Sequence, residues 1–555
     1  MVDNMKQELN KTYQVTITSQ NHEGDGVARI NDLVVFVPGG VVEDVLEIKI
    51  TKVYKNYMFG KIKQIITPSK YRIKPLCPIF GLCGGCEIMH YNYQYQLQFK
   101  KQLVIDALTR IAGLNDIEVC DVVGMDEPYY YRNKVQVPFG KIKNQVVCGF
   151  YKKNSHEIIP FNECYIQPKC STEIVKFIRD FAKENNISIY NEQTHEGILR
   201  HVMIRSNSFN QYMVTIVTNS IDLPSEQKLI KKLTNTFPEI VSIVHNINLA
   251  KTNVILGTKY RVIFGKDELI EEILGLKFLI NHQSFLQVNY KQTLKMYQTV
   301  IDLLKPTKDD VYIDAFCGVG TISLLLAKYA KKVYGIEIVK EAIDSANRNK
   351  RLNMMDNSEF ILGKSEEEIY KMNLDNVSGI VVDPPRKGCE QTFLERIIET
   401  KIPKIVYVSC NVSTLARDLK VLKDYYRVEK VVPFDLFSQT AHVETCVLLS
   451  HKSVDDFISV KMEYEDRKIQ PDRVTYRLIQ EYVKEKYGFK MHTAYIAEVK
   501  RSLGLPMYVA PNAVEKLKHP YKPASEYKVE AIKDLQACGS LSSSHNSRLL
   551  ITCSF

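Results

Sequence analysis

Val311-Tyr312-Ile313-Asp314-Ala315-Phe316-Cys317-Gly318-Val319-Gly320-Thr321 is an apolar run that breaks on two glycines, and Ile322–Ala330 continues it with helical spacing. A short apolar run that enters a glycine turn and leaves as a helix opens an alternating strand–helix sheet. Glycines there let the backbone approach a ligand, at the strand end where open α/β sheets bind theirs. Lys332-Val333-Tyr334-Gly335-Ile336-Glu337 predicts a second strand, ending in an acid about 20 residues on, where a carboxylate typically grips ribose hydroxyls. Gly318 and Gly320 fall short of the three glycines of a dinucleotide turn, and the shorter form suits S-adenosylmethionine better than NAD.

The alternation continues over 266–451, which predicts a doubly wound, Rossmann-like α/β domain. Gly379–Val382 runs into Asp383-Pro384-Pro385-Arg386-Lys387-Gly388, where two prolines fix the backbone and hold Asp383 at the strand tip. A plain turn would look similar, but behind a nucleotide-type turn this corner marks a methyltransferase. Ile405–Ser409 is a further strand, and Cys410-Asn411 follows directly. A thiol at that end can be aimed into a cleft as a nucleophile, although free cysteines are more often buried and inert. Glu444 precedes the apolar run Cys446–Leu449. A glutamate opening a strand is usually solvated, so its role depends on its partners.

Toward the N-terminus, Cys77-x5-Cys83-x2-Cys86 lies in a Gly/Pro-rich loop, and Cys164 is the best placed fourth ligand. All-cysteine ligation fits Zn²⁺ or an iron–sulfur cluster, and spacing alone does not choose between them. Earlier still, Tyr13–Thr18, Gly26–Ile30, Val34–Val37, Val45–Val53 and Phe59–Ile66 read as five short strands of a small OB-like barrel. From Lys49 to Lys74 there are eight Lys/Arg and no Asp or Glu, with Tyr54, Tyr57, Phe59 and Tyr71 among them. Basic groups can track phosphates while rings stack on bases, so RNA is the expected partner; a solvated basic edge is the bland alternative.

A chain of 555 residues is too long for one core, and its balance of 74 Lys+Arg against 64 Asp+Glu suits a polyanionic partner. No apolar stretch approaches a membrane span and the first residues lack a signal-peptide apolar region, so a cytoplasmic protein without membrane contact is expected. Thirteen cysteines then read as metal-binding or catalytic rather than disulfide-bonded. The predicted organisation is a barrel at 6–67, a central α+β domain with the cysteine loop at 68–265 and the doubly wound domain at 266–451. A helical extension at 452–537, with segments near Asp472–Tyr487 and Tyr495–Leu503, and a disordered tail at 538–555 complete it. A helix is predicted near Tyr95–Ile111, with Leu97, Val104, Leu108 and Ile111 as its apolar face.

Six ordered motifs together resemble the RNA uracil-5-methyltransferase family, and within it the 23S ribosomal RNA branch of Gram-positive bacteria. They are Cys77/Cys83/Cys86/Cys164, Ser284-Phe285-Leu286-Gln287-Val288-Asn289, Asp314–Thr321, Asp383–Gly388, Ser409-Cys410-Asn411 with Thr414–Asp418, and His442-Val443-Glu444. The resemblance implies that the barrel is an RNA-binding TRAM domain and that the four cysteines hold a [4Fe–4S] cluster. It implies S-adenosylmethionine contacts at Gln287, Phe316, Glu337 and Asp383, with Cys410 as nucleophile and Glu444 as base. The implied reaction is methylation of C5 of uridine in 23S ribosomal RNA, with transfer RNA, or a non-catalytic role in ribosome assembly, as alternatives. No obligate protein partner is implied. Two departures stand out: Val412 replaces the family's usual proline two residues after the nucleophile, and Leu286 stands where a second phenylalanine is common.

Overall fold

The computed structural model describes residues 8–452 together with Gln480 and Lys484. Apart from Lys452, Gln480 and Lys484, the expected helical extension and disordered tail therefore lie outside the described residues. Six strands form the N-terminal sheet: β1 (Thr12–Thr16), β2 (Ser19–Gln20), β3 (Gly26–Ile30), β4 (Leu33–Val37), β5 (Val45–Val53) and β6 (Tyr57–Thr67), in the order β1-β5-β6-β4-β3-β2. Alternate residues such as Leu46, Ile48 and Ile50 turn inward onto Val15, Val35 and Met58, as the two-residue period of a strand requires. The strand that the sequence reading lacked, β2, has two residues, too few to show a period.

After the helix α1 (Tyr93–Ala107) comes a second sheet, built from β7 (Lys134–Ile142), β8 (Gln145–Tyr151), β9 (Ile158–Pro160), β10 (Leu199–Ser206), β11 (Tyr212–Thr218), β12 (Ile240–Ile247) and β13 (Lys259–Gly265). Its order is β13-β12-β11-β10-β7-β8-β9. Every residue of β10 and β11 is buried, the polar ones included: Arg200 and Arg205 donate to the backbone carbonyls of Asn248 (2.8 Å) and Ser284, which lets charged side chains sit in the middle of the sheet. The helices α2 (Lys169–Glu184) and α3 (Glu226–Thr236) pack against this sheet.

A hairpin, β14 (Leu269–Ile273) and β15 (Leu276–Ile280), and the helix α4 (Tyr290–Leu304) lead into the third sheet. Its strands are β16 (Val311–Asp314), β17 (Lys332–Glu337), β18 (Ser358–Leu362), β19 (Gly379–Val382), β20 (Lys404–Ser409), β21 (Tyr426–Phe434) and β22 (Glu444–His451). They run in the order β18-β17-β16-β19-β20-β22-β21, parallel except for the pairings of β22. The helices α5 (Thr321–Ala327), α6 (Lys340–Leu352), α8 (Gln391–Thr400) and α9 (Val412–Leu422) connect these strands, with the single turn α7 (Ser365–Glu368) between β18 and β19.

One feature of the packing departs from the sequence reading. Residues 93–125, read with the central region, pack on the third sheet: Val104, Ala107, Leu108, Ala112 and Val119 share a core with Ile405, Val447 and Leu449. Cys120 N and Val123 N donate to Val431 O (3.0 Å) and Pro433 O (2.8 Å), covering the edge of β21 that would otherwise be left unpaired. The buried face of α1 also differs from the predicted one. Gln96 and Lys100 are buried together with Phe99 and Val104, while Ile111 is exposed, because the two polar side chains find partners between β21 and β22. Through His451 these sheets form one compact unit.

Candidate active site

Three loops at the carboxyl ends of the parallel strands build the site. Cys410 follows β20, and Asn411 caps α9 by accepting from Ser413 N (3.0 Å). Asn411 Nδ2 and Thr414 Oγ1 each donate to Arg386 O at 3.2 Å, which fastens the cysteine turn to the Asp-Pro-Pro corner. Buried Asp418 accepts from Cys389 N (2.8 Å) and the Tyr407 hydroxyl (2.6 Å). Gly388 must be glycine here: its φ is +78°, and a Cβ would lie 2.6 Å from Arg417 Nη2 and Asp418 Oδ2.

Glu444 arrives from the other side by strand register. Ser409 pairs with Thr445 in the antiparallel β20–β22 ladder, so one further step sets Cys410 opposite Glu444. Gln287, Phe316, Glu337, Asp383, Cys410 and Glu444 all line one cleft of about 1170 Å³. Every catalytic and cofactor-binding residue expected from sequence is thus brought to one place.

The glycine turn forms the floor. Gly320, at φ +84°, leaves no room for a side chain, since a Cβ would lie 2.7 Å from the Phe360 ring; a Cβ on Gly318 would meet nothing within 4 Å. The Glu337 carboxylate accepts from Gly318 N (3.2 Å) and Val339 N (2.9 Å), so it closes over the turn. Ser323 Oγ donates to Asp314 Oδ2 (2.6 Å), while Asp314 Oδ1 is buried without a partner.

These acids share one corner of the cleft, and burial is the first cause of their shifts. Asp314 is pushed up to about 6. Asp383, although it opens onto the cleft, is pushed up to about 7 by burial and then by Asp314. Glu444 is raised well above the usual carboxylate range by burial and Asp383, against the pull of Arg386. The Cys410 thiol is pushed up to about 11 by burial, Glu444 and Asp383, and again Arg386 opposes them.

Gln287 sits on a loop hung between two sheets. Asn133 Nδ2 donates to Gln287 O (3.0 Å), Asn133 N to Val288 O (2.8 Å), and Asn289 Nδ2 to Leu436 O (3.1 Å). Phe285, Leu286 and Val288 on this loop line a second cavity as well, of about 340 Å³, which Cys77, Cys83, Cys86 and Cys164 also line. Burial raises all four thiols, Cys164 to about 11. Among the described residues no group of three or more His, Cys, Asp or Glu side chains converges to hold a single metal ion.

The sequence model of the tRNA (Uracil-5-)-methyltransferase family matches residues 241–452, and that of the TRAM domain residues 6–63. An uncharacterized RNA methyltransferase of Clostridium tetani is 46% identical over 446 residues, 80% of this chain and 97% of that protein. The chain belongs to the RNA (uracil-5-)methyltransferase family. A Bacillus cereus protein of the same description is 42% identical, again over 80% of this chain and 97% of its own length. The structure is similar to the Pyrococcus abyssi tRNA (uracil-54, C5)-methyltransferase in complex with S-adenosyl-L-homocysteine, at 28% identity and a TM-score of 0.64, covering 79% of this chain and 100% of that one.

The N-terminal sheet of this S-adenosylmethionine-dependent methyltransferase is its TRAM domain. On it Phe36, Tyr54, Tyr57 and Phe59 group their rings, with Tyr54 and Tyr57 stacked at 4.7 Å and Tyr54 well exposed beside the basic stretch. Both departures from the usual methyltransferase motifs are absorbed locally. Val412 is the first residue of α9, a position proline favours but does not require. Leu286 is buried in the apolar core beside Met296 and Phe278, replacing one apolar side chain by another. Two lining residues had no assigned role in the sequence reading. Arg386 stood in view within Asp-Pro-Pro-Arg, but nothing in the string says that it faces Cys410 and Glu444. Tyr297 lies mid-helix in α4, where an aromatic reads as core, yet its hydroxyl is pushed well up by burial with Asp383, Asp314 and Glu444 nearby.

Proposed function

We infer that this enzyme methylates C5 of uridine in RNA through a covalent bond between Cys410 Sγ and C6 of the base. The register that sets Cys410 opposite Glu444, in the cleft that Asp383 also lines, carries the reading. C5 of uracil is a weak nucleophile. Attack of the Cys410 thiolate on C6 gives C5 enolate character, and C5 then takes the methyl group. Glu444 removes the C5 proton, and the returning electron pair expels Cys410 from C6. Arg386 favours the thiolate against the two carboxylates. S-adenosylmethionine supplies the electrophilic methyl, with Gln287, Phe316, Glu337 and Asp383 as its holders. The base must leave its stack to present C6 to a thiol.

The cysteines are proposed to hold a [4Fe–4S] cluster. What supports the reading is the all-thiol donor set lining one cavity together with the family resemblance, which implies the cluster where the chemistry of the thiols alone fits Zn²⁺ as well. Such a group would bind the Cys77–Cys86 loop to Cys164, and no step of the reaction passes through it. Matching iron and acid-labile sulfide in anaerobically purified protein, lost in Cys164→Ser, is the expected result.

The proposed target is 23S ribosomal RNA, following the Gram-positive branch that the motifs resemble. Transfer RNA is a second reading, favoured by the transfer RNA methyltransferases among the proteins this chain is similar to. RNA carrying 5-fluorouridine tests the chemistry: fluorine cannot leave as a proton does, so an adduct should form through Cys410 and be absent in Cys410→Ala. An adduct that persists in Cys410→Ala would sink the mechanism. Mapping 5-methyluridine in ribosomal and transfer RNA of a deletion strain decides the target.

A further inference from the structure

Glu444 Oε1 is buried without a hydrogen bond, and the Arg386 charge acts on the carboxylate without a hydrogen bond to it, so its placement depends on the chain that delivers it. That chain is the strap between β21 and β22, residues 435–443, and it is held almost entirely by residues from the first third of the sequence.

Buried Lys100 on α1 forms an ion pair with buried Asp435 and donates to Phe437 O (3.0 Å), while the Tyr93 hydroxyl donates to Asp435 Oδ2 (2.7 Å). Gln96, one turn earlier, meets Gln439 amide to amide. Gln439 N donates to Gln96 Oε1 (3.2 Å), and Gln96 Nε2 donates to Gln439 Oε1 (3.0 Å). Gln439 has φ +68°, a left-handed conformation that a non-glycine residue keeps only where its surroundings fix it. Its carbonyl accepts from Glu87 N and Ile88 N, both at 3.1 Å, and the Glu87 carboxylate accepts from Ala441 N (3.3 Å). Glu87 directly follows Cys86, so the cysteine loop and the strap that ends in Glu444 are joined by three hydrogen bonds.

We propose that Gln96 and Gln439 are positioning residues for Glu444, and that through Gln439 the Cys86–Ile88 segment sets where that carboxylate lies relative to Cys410. The inference rests on the reading of Glu444 as the base that resolves the adduct. General structural support would make a different prediction. A residue that only stabilises the fold affects thiol attack and proton removal alike, whereas one that places Glu444 affects proton removal selectively.

The two steps separate experimentally in the full-length protein. With 5-fluorouridine RNA the adduct forms without proton removal; with ordinary RNA turnover requires it. In Gln439→Met and in Gln96→Met, adduct formation on 5-fluorouridine RNA should stay within about threefold of the parent, while turnover on ordinary RNA falls about tenfold or more, the scale expected when a reacting group is displaced by an ångström or less. Covalent RNA–protein complex should accumulate on ordinary RNA. Gln96→Met leaves the bond from Gln439 Nε2 to Pro128 O (3.3 Å) in place and covers the case in which Gln439→Met fails to fold. Parallel loss of both steps, or unchanged turnover in either folded variant, would overturn the proposal. Glu444→Gln run alongside separates the two levels: if it accumulates no complex on ordinary RNA, the base assignment itself fails. If it does and the glutamine variants do not, only the positioning role is lost.

Discussion

Asp314 stands close enough to Asp383 to raise its proton affinity, so the end of β16 and the end of β19 share one electrostatic corner. Both acids bind a proton more tightly folded than unfolded. Their stabilising contribution is therefore complete below the ordinary carboxylate range and lost as pH rises through about 6 and about 7. The melting temperature of the cofactor-free enzyme should accordingly fall between about pH 4 and about pH 7, and Asp383→Asn should flatten that slope. An unchanged slope in the variant would show that other groups dominate.

With Asp383 as a proposed cofactor holder, the same corner should make cofactor binding proton-linked. A sulfonium cation favours ionised carboxylates, so affinity for S-adenosylmethionine should increase as pH rises through about 7. S-adenosylhomocysteine has no sulfonium charge, and its affinity should vary less with pH. Calorimetric titration of both ligands across that range reads the difference directly.

Arg386 is the cationic group that pulls the Cys410 proton affinity down. Arg386→Met should raise the thiol's apparent pKa and slow both iodoacetamide alkylation and 5-fluorouridine adduct formation, by about tenfold near neutral pH for a one-unit shift. Arg386→Lys should fall between the two. An alkylation profile that does not move in Arg386→Met would remove the guanidinium from the account.

Val412 offers a test of the opposite sign. As the first residue of α9 it can accept proline's fixed φ without losing an intrahelical bond. Val412→Pro should stabilise by about 0.4–1 kcal/mol through the unfolded chain, with a melting temperature higher by about 1–2 °C and unchanged activity. Gly320→Ala should do the reverse, since φ +84° and the Phe360 ring both oppose a Cβ, costing about 1–3 kcal/mol and most of the cofactor affinity.

The sequence made the parallel strands and their tips legible, because β16, β17, β19 and β20 are short apolar runs that each end on a chemically distinctive residue or turn. Pairing across strands was not legible. That Ser409 faces Thr445 follows from register, which no local pattern encodes. The buried face of α1 was missed for a related reason: Gln96 and Lys100 look like solvent-facing residues until Gln439 and Asp435, more than three hundred residues later, supply their partners. Local periodicity describes what an element can bury, and tertiary context decides what it does bury.

The Phe285–Val288 loop forms a party wall, with the reaction cleft on one side and the cysteine chamber on the other. Enlarging the cleft by substitutions in this loop would also resize the space around the four thiols. Cleft shape and thiol-chamber volume are therefore one design variable, and a substitution at residues 285–288 is felt in both spaces at once.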